Sequence, residues 1–193
     1  MVDGDGVGPV PVEVVDGWPL LPAGRSVVAV EAGITLGSLG LDQQTYAVIR
    51  STGAAWSLRI DEHPEMDGWT TTNPDGSTEE TTFAIPTEPV PIPEALLVDD
   101  RTFMDWVWST HGALGRLLLW DEAQTWWILN HPDLEATLLC SGPEVLSALL
   151  PDEDLQALAR EPFAGWIPTL TALGRESATE IATRFGLTPP GPA

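Results

Sequence analysis

The chain has 193 residues, of which 43% are apolar, so it is long enough for a buried core and too apolar for a disordered acidic tail. It carries 29 Asp and Glu against eight Arg, contains no Lys, and has a formal net charge of −21. Residues 61–159 hold 20 acids and two arginines, so −18 of the charge lies in this region. A field of this sign repels phosphates, which excludes a nucleic-acid partner and favours a basic one.

The sequence carries no signal for a membrane span, a disulfide or secretion. Cys140 is the single cysteine, so no disulfide can form within the chain. The start of the chain lacks the basic and apolar regions of a signal peptide, and no apolar run approaches the ~18 residues of a membrane span. We therefore expect a cytoplasmic protein without membrane association, present as a monomer or a homodimer.

The first half of the chain has the residue pattern of a β-rich unit. Residues 1–10 are rich in Gly and Asp and are expected to be flexible, and residues 11–85 form the β-rich half. β-branched residues within 12–15 and 26–32 predict the first two strands.

Two β-hairpins are predicted in the same half. Apolar runs at 46–50 and 56–60 flank a short connection that contains Gly, which indicates a hairpin. Residues 68–72 and 78–85 flank the sequence Asn-Pro-Asp-Gly at 73–76, in which Pro sets φ and Asp-Gly tolerates a left-handed conformation. The threonines and glutamates of this second hairpin predict a solvated, edge-like surface.

A proline-rich connector at residues 86–95 leads to an α+β half at 96–187 and a loose tail at 188–193. The helices predicted in this half lie at 99–109, 143–150, 152–160 and 170–185. The strands predicted in this half lie at 114–120, 126–130 and 134–140. The predicted fold class is therefore α+β, either as two halves or as one compact domain.

Two segments of the chain resemble each other. Residues 46–65 and 116–133 each read as a strand, a five-residue connection, a strand that begins with Trp, and a His-Pro-acid sequence. One interpretation is a pair of related halves joined by the connector, and the other is chance similarity between two hairpins.

The residues that usually carry catalysis or bind metals form no recognised motif. The three histidines, His63, His111 and His131, lack metal-ligand spacing, and Ser141 does not meet the nucleophile-elbow pattern. We assign no cofactor, no metal site and no catalytic residue. The enzymatic alternative is a small hydrolase that uses His63 and His131 with nearby carboxylates.

The acids of the middle region lie close in sequence to several of the nine tryptophans, which serve cores and recognition surfaces alike. This pattern favours a stoichiometric inhibitor, such as a bacterial immunity protein that neutralises a toxin or another basic partner. A chaperone or adaptor for a basic secreted protein is the alternative binding function. The candidate partner-binding residues are Asp61, Glu62, Glu65, Asp67, Trp69, Asp99, Asp100, Asp105, Trp108, Asp121 and Glu122.

Overall fold

The computed structural model describes residues 12–31, 43–60, 68–82, 85–112, 116–131, 136–149, 163 and 172–191. The helices in these ranges are α1 (Gln43–Ser51), α2 (Asp100–His111), α3 (Pro143–Leu149) and α4 (Ala172–Phe185), with a 3-10 turn at Glu94–Leu96. The strands are β1 (Val14–Val15), β2 (Trp18–Pro19), β3 (Ser26–Glu31), β4 (Ala55–Arg59), β5 (Gly68–Thr72), β6 (Thr78–Thr82), β7 (Val90–Ile92), β8 (Leu117–Asp121), β9 (Trp126–His131) and β10 (Ala136–Ser141). The predicted α+β class is confirmed.

The centre of the fold is a six-stranded antiparallel sheet with the order β3-β10-β9-β8-β4-β7. It combines strands from both predicted halves of the chain, and β7 comes from the proline-rich connector. The three strands β8, β9 and β10 are buried along almost their whole length. Continuous apolar strands of this kind require cover on both faces of a sheet.

The first face of the sheet is covered by α1, α2 and α3. Tyr46 and Ile49 of α1 and Phe103 of α2 pack against sheet residues that include Leu119 and Ile128. Because alternate residues of a strand point to opposite faces, the neighbours of these two sheet residues face the other way.

The second face of the sheet is covered by α4 and the β1–β2 hairpin. Ile181 and Phe185 of α4 and Trp18 of β2 pack with Trp120 and Leu138. Helix α4 ends at Phe185, where Gly186 takes a φ of +68° as a left-handed helix stop.

The predicted strand at 46–50 is wrong, because these residues belong to helix α1. Tyr46 and Ile49 are both buried and lie three residues apart, so they share one side of a helix. A short apolar run does not distinguish such a helix from a strand by its periodicity. The predicted hairpin partner, β4, pairs with β7 and β8 instead.

The two similar segments of the sequence do not share a fold. Residues 43–59 form helix α1 and strand β4, whereas residues 117–131 form the hairpin of β8 and β9. The interpretation of the similarity as a pair of related halves is therefore wrong.

Most other predicted elements of the second half are confirmed. Helix α2 matches the helix predicted at 99–109, β8 and β9 form the predicted hairpin, and α4 matches the predicted last helix. The predicted helix at 152–160 and the N-terminal segment 1–10 lie outside the described residues.

The second predicted hairpin is confirmed as β5 and β6, which pair in register from Gly68 with Thr82 to Thr72 with Thr78. At its turn the Asp75 carboxylate accepts hydrogen bonds from the Ser77 N–H at 2.9 Å and the Ser77 hydroxyl at 2.6 Å. These bonds lower the pKa of Asp75.

Candidate partner-binding surface

The beginning of helix α2 carries two of the predicted acids, and Asp99 is its N-cap. Its carboxylate accepts the Thr102 N–H at 2.8 Å and the Thr102 hydroxyl at 3.1 Å. The backbone hydrogen bond from Thr102 is the main cause that lowers the pKa of Asp99. Asp99 is half-buried, so its carboxylate supports the helix and also faces solvent.

Asp100 connects α2 to α1. Its carboxylate accepts a hydrogen bond of 2.7 Å from the hydroxyl of Tyr46, a side chain with no solvent exposure. Burial, followed by the negative charge of Asp100, raises the pKa of Tyr46 far above its ordinary value of 10.0. The hydroxyl therefore stays protonated and acts as the donor of this contact.

Asp105 and Trp108 lie on the outward side of α2. Asp105 is exposed and Trp108 is half-buried, whereas the buried side of the helix consists of Phe103, Val107 and His111. Because Asp105 and Trp108 are three residues apart, they are neighbours on the helix surface. A carboxylate beside an indole can contact a basic side chain through both its charge and the aromatic ring.

The β8–β9 turn holds Asp121 and Glu122, which occupy opposite environments. Asp121 is buried, and its carboxylate accepts bonds from the Thr125 N–H at 2.6 Å, the Thr125 hydroxyl at 2.6 Å and the Trp126 N–H at 3.0 Å. Glu122 is exposed. Asp121 thus holds the turn together and does not belong to the surface, whereas Glu122 does.

Several tryptophans near the acids in sequence are core residues. Trp120, Trp126 and Trp127 are buried, and two of them connect distant parts of the chain through the indole N–H. Trp126 donates to the Thr52 hydroxyl at 2.8 Å, and Trp127 donates to the Leu20 carbonyl at 3.2 Å. Of the predicted anchors, Trp108 remains partly accessible.

The remaining predicted site residues lie outside the described part of the structure. These are Asp61, Glu62, Glu65, Asp67 and the side chain of Trp69, whose backbone belongs to β5.

Further exposed acids, which are not among the predicted site residues, lie on the β5–β6 hairpin. Glu79 and Glu80 are adjacent on β6, and both are exposed. The signal in the sequence is the absence of apolar alternation at 70–80, since a strand packed on a core would bury every second residue.

Of the two histidines that define the enzymatic alternative, the structure describes His131. His131 is 5% exposed and stacks on the Trp18 ring at 5.6 Å between ring centres. The guanidinium groups of Arg116 and Arg184 lie 5.2 Å and 5.7 Å from the same indole. This arrangement packs Trp18 into the second face of the sheet, and His63 lies outside the described residues.

Among the residues that the structure describes, Ser57 and His111 form a buried hydroxyl–imidazole pair. The Ser57 hydroxyl lies 2.8 Å from His111 Nε2 and donates to the Val90 carbonyl at 3.3 Å. The direction of the Ser57–His111 bond is set by the histidine tautomer, and when the hydroxyl proton is directed at Val90, Nε2–H donates to Ser57. Both side chains are at most 1% exposed. The pair therefore joins β4 to α2 in the interior of the fold.

The environment of His111 keeps its ring neutral. Burial, followed by the positive charge of Arg59, lowers the pKa of His111 from 6.5 to about 4. Arg59 also donates to the His111 carbonyl at 2.9 Å, so it holds the end of α2 against β4.

The described residues contain no group of three or more metal-ligating side chains and no helix that is long and apolar enough to cross a membrane. Cys140 is buried within the sheet, and burial raises the pKa of its thiol to about 12. The thiol therefore packs as a small apolar group.

Comparison of the chain with protein-family models, curated proteins and solved structures found no match.

Proposed function

We propose that the protein is an acidic binding protein of the bacterial immunity type, which neutralises a toxin or another basic protein by forming a stoichiometric complex. The observation that carries this proposal is the concentration of −18 of the charge within residues 61–159. In the described part of this region, Asp105, Glu122, Glu79 and Glu80 are exposed. Asp99 and Asp100 add partly exposed carboxylates at the start of α2.

The mechanism begins with electrostatic attraction. A negative field accelerates the encounter with a positively charged protein and orients it before contact. Trp108 then supplies an aromatic contact surface next to Asp105, since indole rings bind apolar and cationic side chains with little loss of conformational entropy.

The experiment starts with retention of basic proteins on the immobilised chain at low salt and their release at high salt. Each released protein is purified, and calorimetry then measures its stoichiometry with the chain. The proposal expects a one-to-one complex. It also expects loss of the partner's own activity in the complex, because neutralisation of the partner is the proposed function.

Stopped-flow kinetics test the electrostatic step. We expect the association rate to fall at least about tenfold between about 20 mM and about 500 mM salt, with a much smaller change in dissociation. The double variant Asp105→Asn/Glu122→Gln should associate more slowly than Glu13→Gln/Glu176→Gln, which removes the same charge from exposed positions outside residues 61–159. Equal association rates for the two variants would show that Asp105 and Glu122 do not attract the partner.

The same kinetics distinguish an inhibitor from a chaperone or adaptor. An inhibitor should dissociate slowly, whereas a chaperone should release its client readily. Rapid release without loss of partner activity would contradict the inhibitor function.

A further inference from the structure

At residues 70–72 and 78–80, the β5–β6 hairpin is a ribbon exposed to solvent on both of its faces. Thr70, Thr71 and Thr72 on β5 are all exposed, and so are Thr78, Glu79 and Glu80 on β6. Consecutive residues point to opposite faces of a strand, so exposure of every one means that neither face packs on the protein here. Among the described strands, β5 and β6 pair only with each other.

A two-stranded ribbon without packing on either face is marginal in water. This ribbon relies on its turn, in which Asp75 binds Ser77 and Gly76 adopts a φ of +81°. Its strands thus present backbone donors and acceptors along their outer edges, and such an edge is a template for a further strand.

The charges of the ribbon are confined to acids. Residues 68–82 contain Asp75, Glu79 and Glu80 and no basic residue. Glu79 lies opposite Thr71, and Glu80 lies opposite Thr70, so the two carboxylates occupy opposite faces of β6. Pairing of β6 with β6 of a second copy would bring like charges together at this edge, whereas an added strand with basic side chains would pair with them.

We propose that the outer edge of β6 binds an extended, basic segment of the partner protein as an added β-strand. This inference rests on the proposed function, since it names the contact through which the basic partner is held. Backbone hydrogen bonds supply affinity, and two consecutive Arg or Lys residues, one on each face, pair with Glu79 and Glu80. The edge of β5 does not have this selectivity, because Thr70, Thr71 and Thr72 carry no charge.

The test is an NMR titration of the whole protein with an end-capped peptide of sequence Thr-Thr-Val-Arg-Arg-Val-Thr-Thr. We expect shift changes at the amides of 68–82, strongest on β6. A peptide with both valines replaced by proline keeps the charge but lacks two backbone N–H donors, which disfavours its pairing as a strand. It should produce no localised change.

The protein variant Glu79→Gln/Glu80→Gln should bind the arginine peptide about fivefold more weakly, because it removes two cross-strand charge pairs. The charge-matched control Glu13→Gln/Glu176→Gln should bind as the wild type does. Both pairs of positions are exposed, so an unchanged spectrum away from the substitutions verifies folding.

Shift changes that map to α2 or scatter over the surface would overturn strand addition, and so would equal binding of the proline peptide. The proposed function would survive that result as long as salt-dependent association with a basic partner is observed. Conversely, if the peptide binds at β6 but no stoichiometric partner is found, the strand-addition site is supported and the inhibitor function is contradicted.

Discussion

Asp121 and Glu122 are adjacent acids with different structural roles. The buried Asp121 carboxylate accepts three hydrogen bonds from Thr125 and Trp126, whereas Glu122 is exposed. We expect Asp121→Ala to lower the free energy of unfolding by about 3 kcal/mol, because the buried Trp126 N–H and the part-buried N–H and hydroxyl of Thr125 lose their acceptor. Glu122→Ala should change it by less than about 0.5 kcal/mol. Urea unfolding of both variants measures the difference, and similar losses would contradict this assignment.

His111 makes the stability of the fold dependent on pH. The folded protein keeps the ring neutral down to about pH 4, whereas the unfolded chain binds a proton near 6.5. The unfolded state therefore takes up more protons between these values, so stability should fall as the pH drops from 6.5 towards 4. The stabilisation that depends on neutral His111 is complete above this window.

The variant His111→Gln tests this dependence and retains a donor near Ser57. Subtracting its unfolding free energy from that of the wild type across the window removes the contributions of the carboxylates shared by both proteins. We expect the difference to decrease by up to about 3 kcal/mol as the pH falls from 6.5 to 4. A difference that stays constant with pH would show that His111 titrates normally in the folded protein.

At the scale of elements, turn chemistry and helix ends were the parts of the fold that the sequence predicted well. Asp99 caps α2, Gly186 ends α4, and Asp75 with Gly76 forms the turn between β5 and β6. These signals are local, because each residue acts on backbone groups within a few positions of itself.

Helix α1, which the sequence did not predict, depends on distant contacts. Helix α1 is stabilised on its buried side by the sheet and by the bond from Tyr46 to Asp100, which lie 54 positions apart. The difference between Asp121 and Glu122 arises within the turn itself, where the Asp121 carboxylate accepts bonds from Thr125 and Trp126. Both residues are acids, so residue type alone does not indicate which of them is buried. Periodicity over a few residues contains neither kind of information.

The ribbon and the main fold should respond differently to matched glycine substitutions. Gly76 and Gly186 both have positive φ, at +81° and +68°, and a Cβ at either position meets no atom within 4 Å. Each change to Ala therefore costs only the strain of a left-handed backbone, about 1 kcal/mol. We expect Gly76→Ala to accelerate amide exchange in residues 68–82 about fivefold without moving the global unfolding midpoint.

Gly186→Ala is the counterpart, because α4 packs into the core through Ile181 and Phe185. It should lower the midpoint of global unfolding, which thermal denaturation measures. If Gly76→Ala lowered the global midpoint by the same amount, the ribbon would be part of the cooperative core, and an independent docking edge would be ruled out.

The charge of the whole molecule opposes its own compact state. A net charge of −21 on 193 residues places many acids near other acids with few arginines to offset them. The folded chain brings these charges closer together than the unfolded chain does, so the repulsion is larger in the folded protein. A reduction of this repulsion should therefore stabilise the fold.

Salt provides that reduction, since the screening length shortens from about 30 Å at 0.01 M to about 8 Å at 0.15 M. We expect the thermal midpoint to rise by about 3 °C over this range, which corresponds to about 1 kcal/mol for a chain of this size. Sodium chloride and potassium chloride should act equally, because screening depends on ionic strength. A midpoint that stays constant or falls would mean that the acids are far enough apart, or sufficiently paired, to fold without repulsion. The same screening should slow partner association. A rise in salt concentration is therefore expected to raise the thermal midpoint of the free protein and to lower its rate of association with the partner.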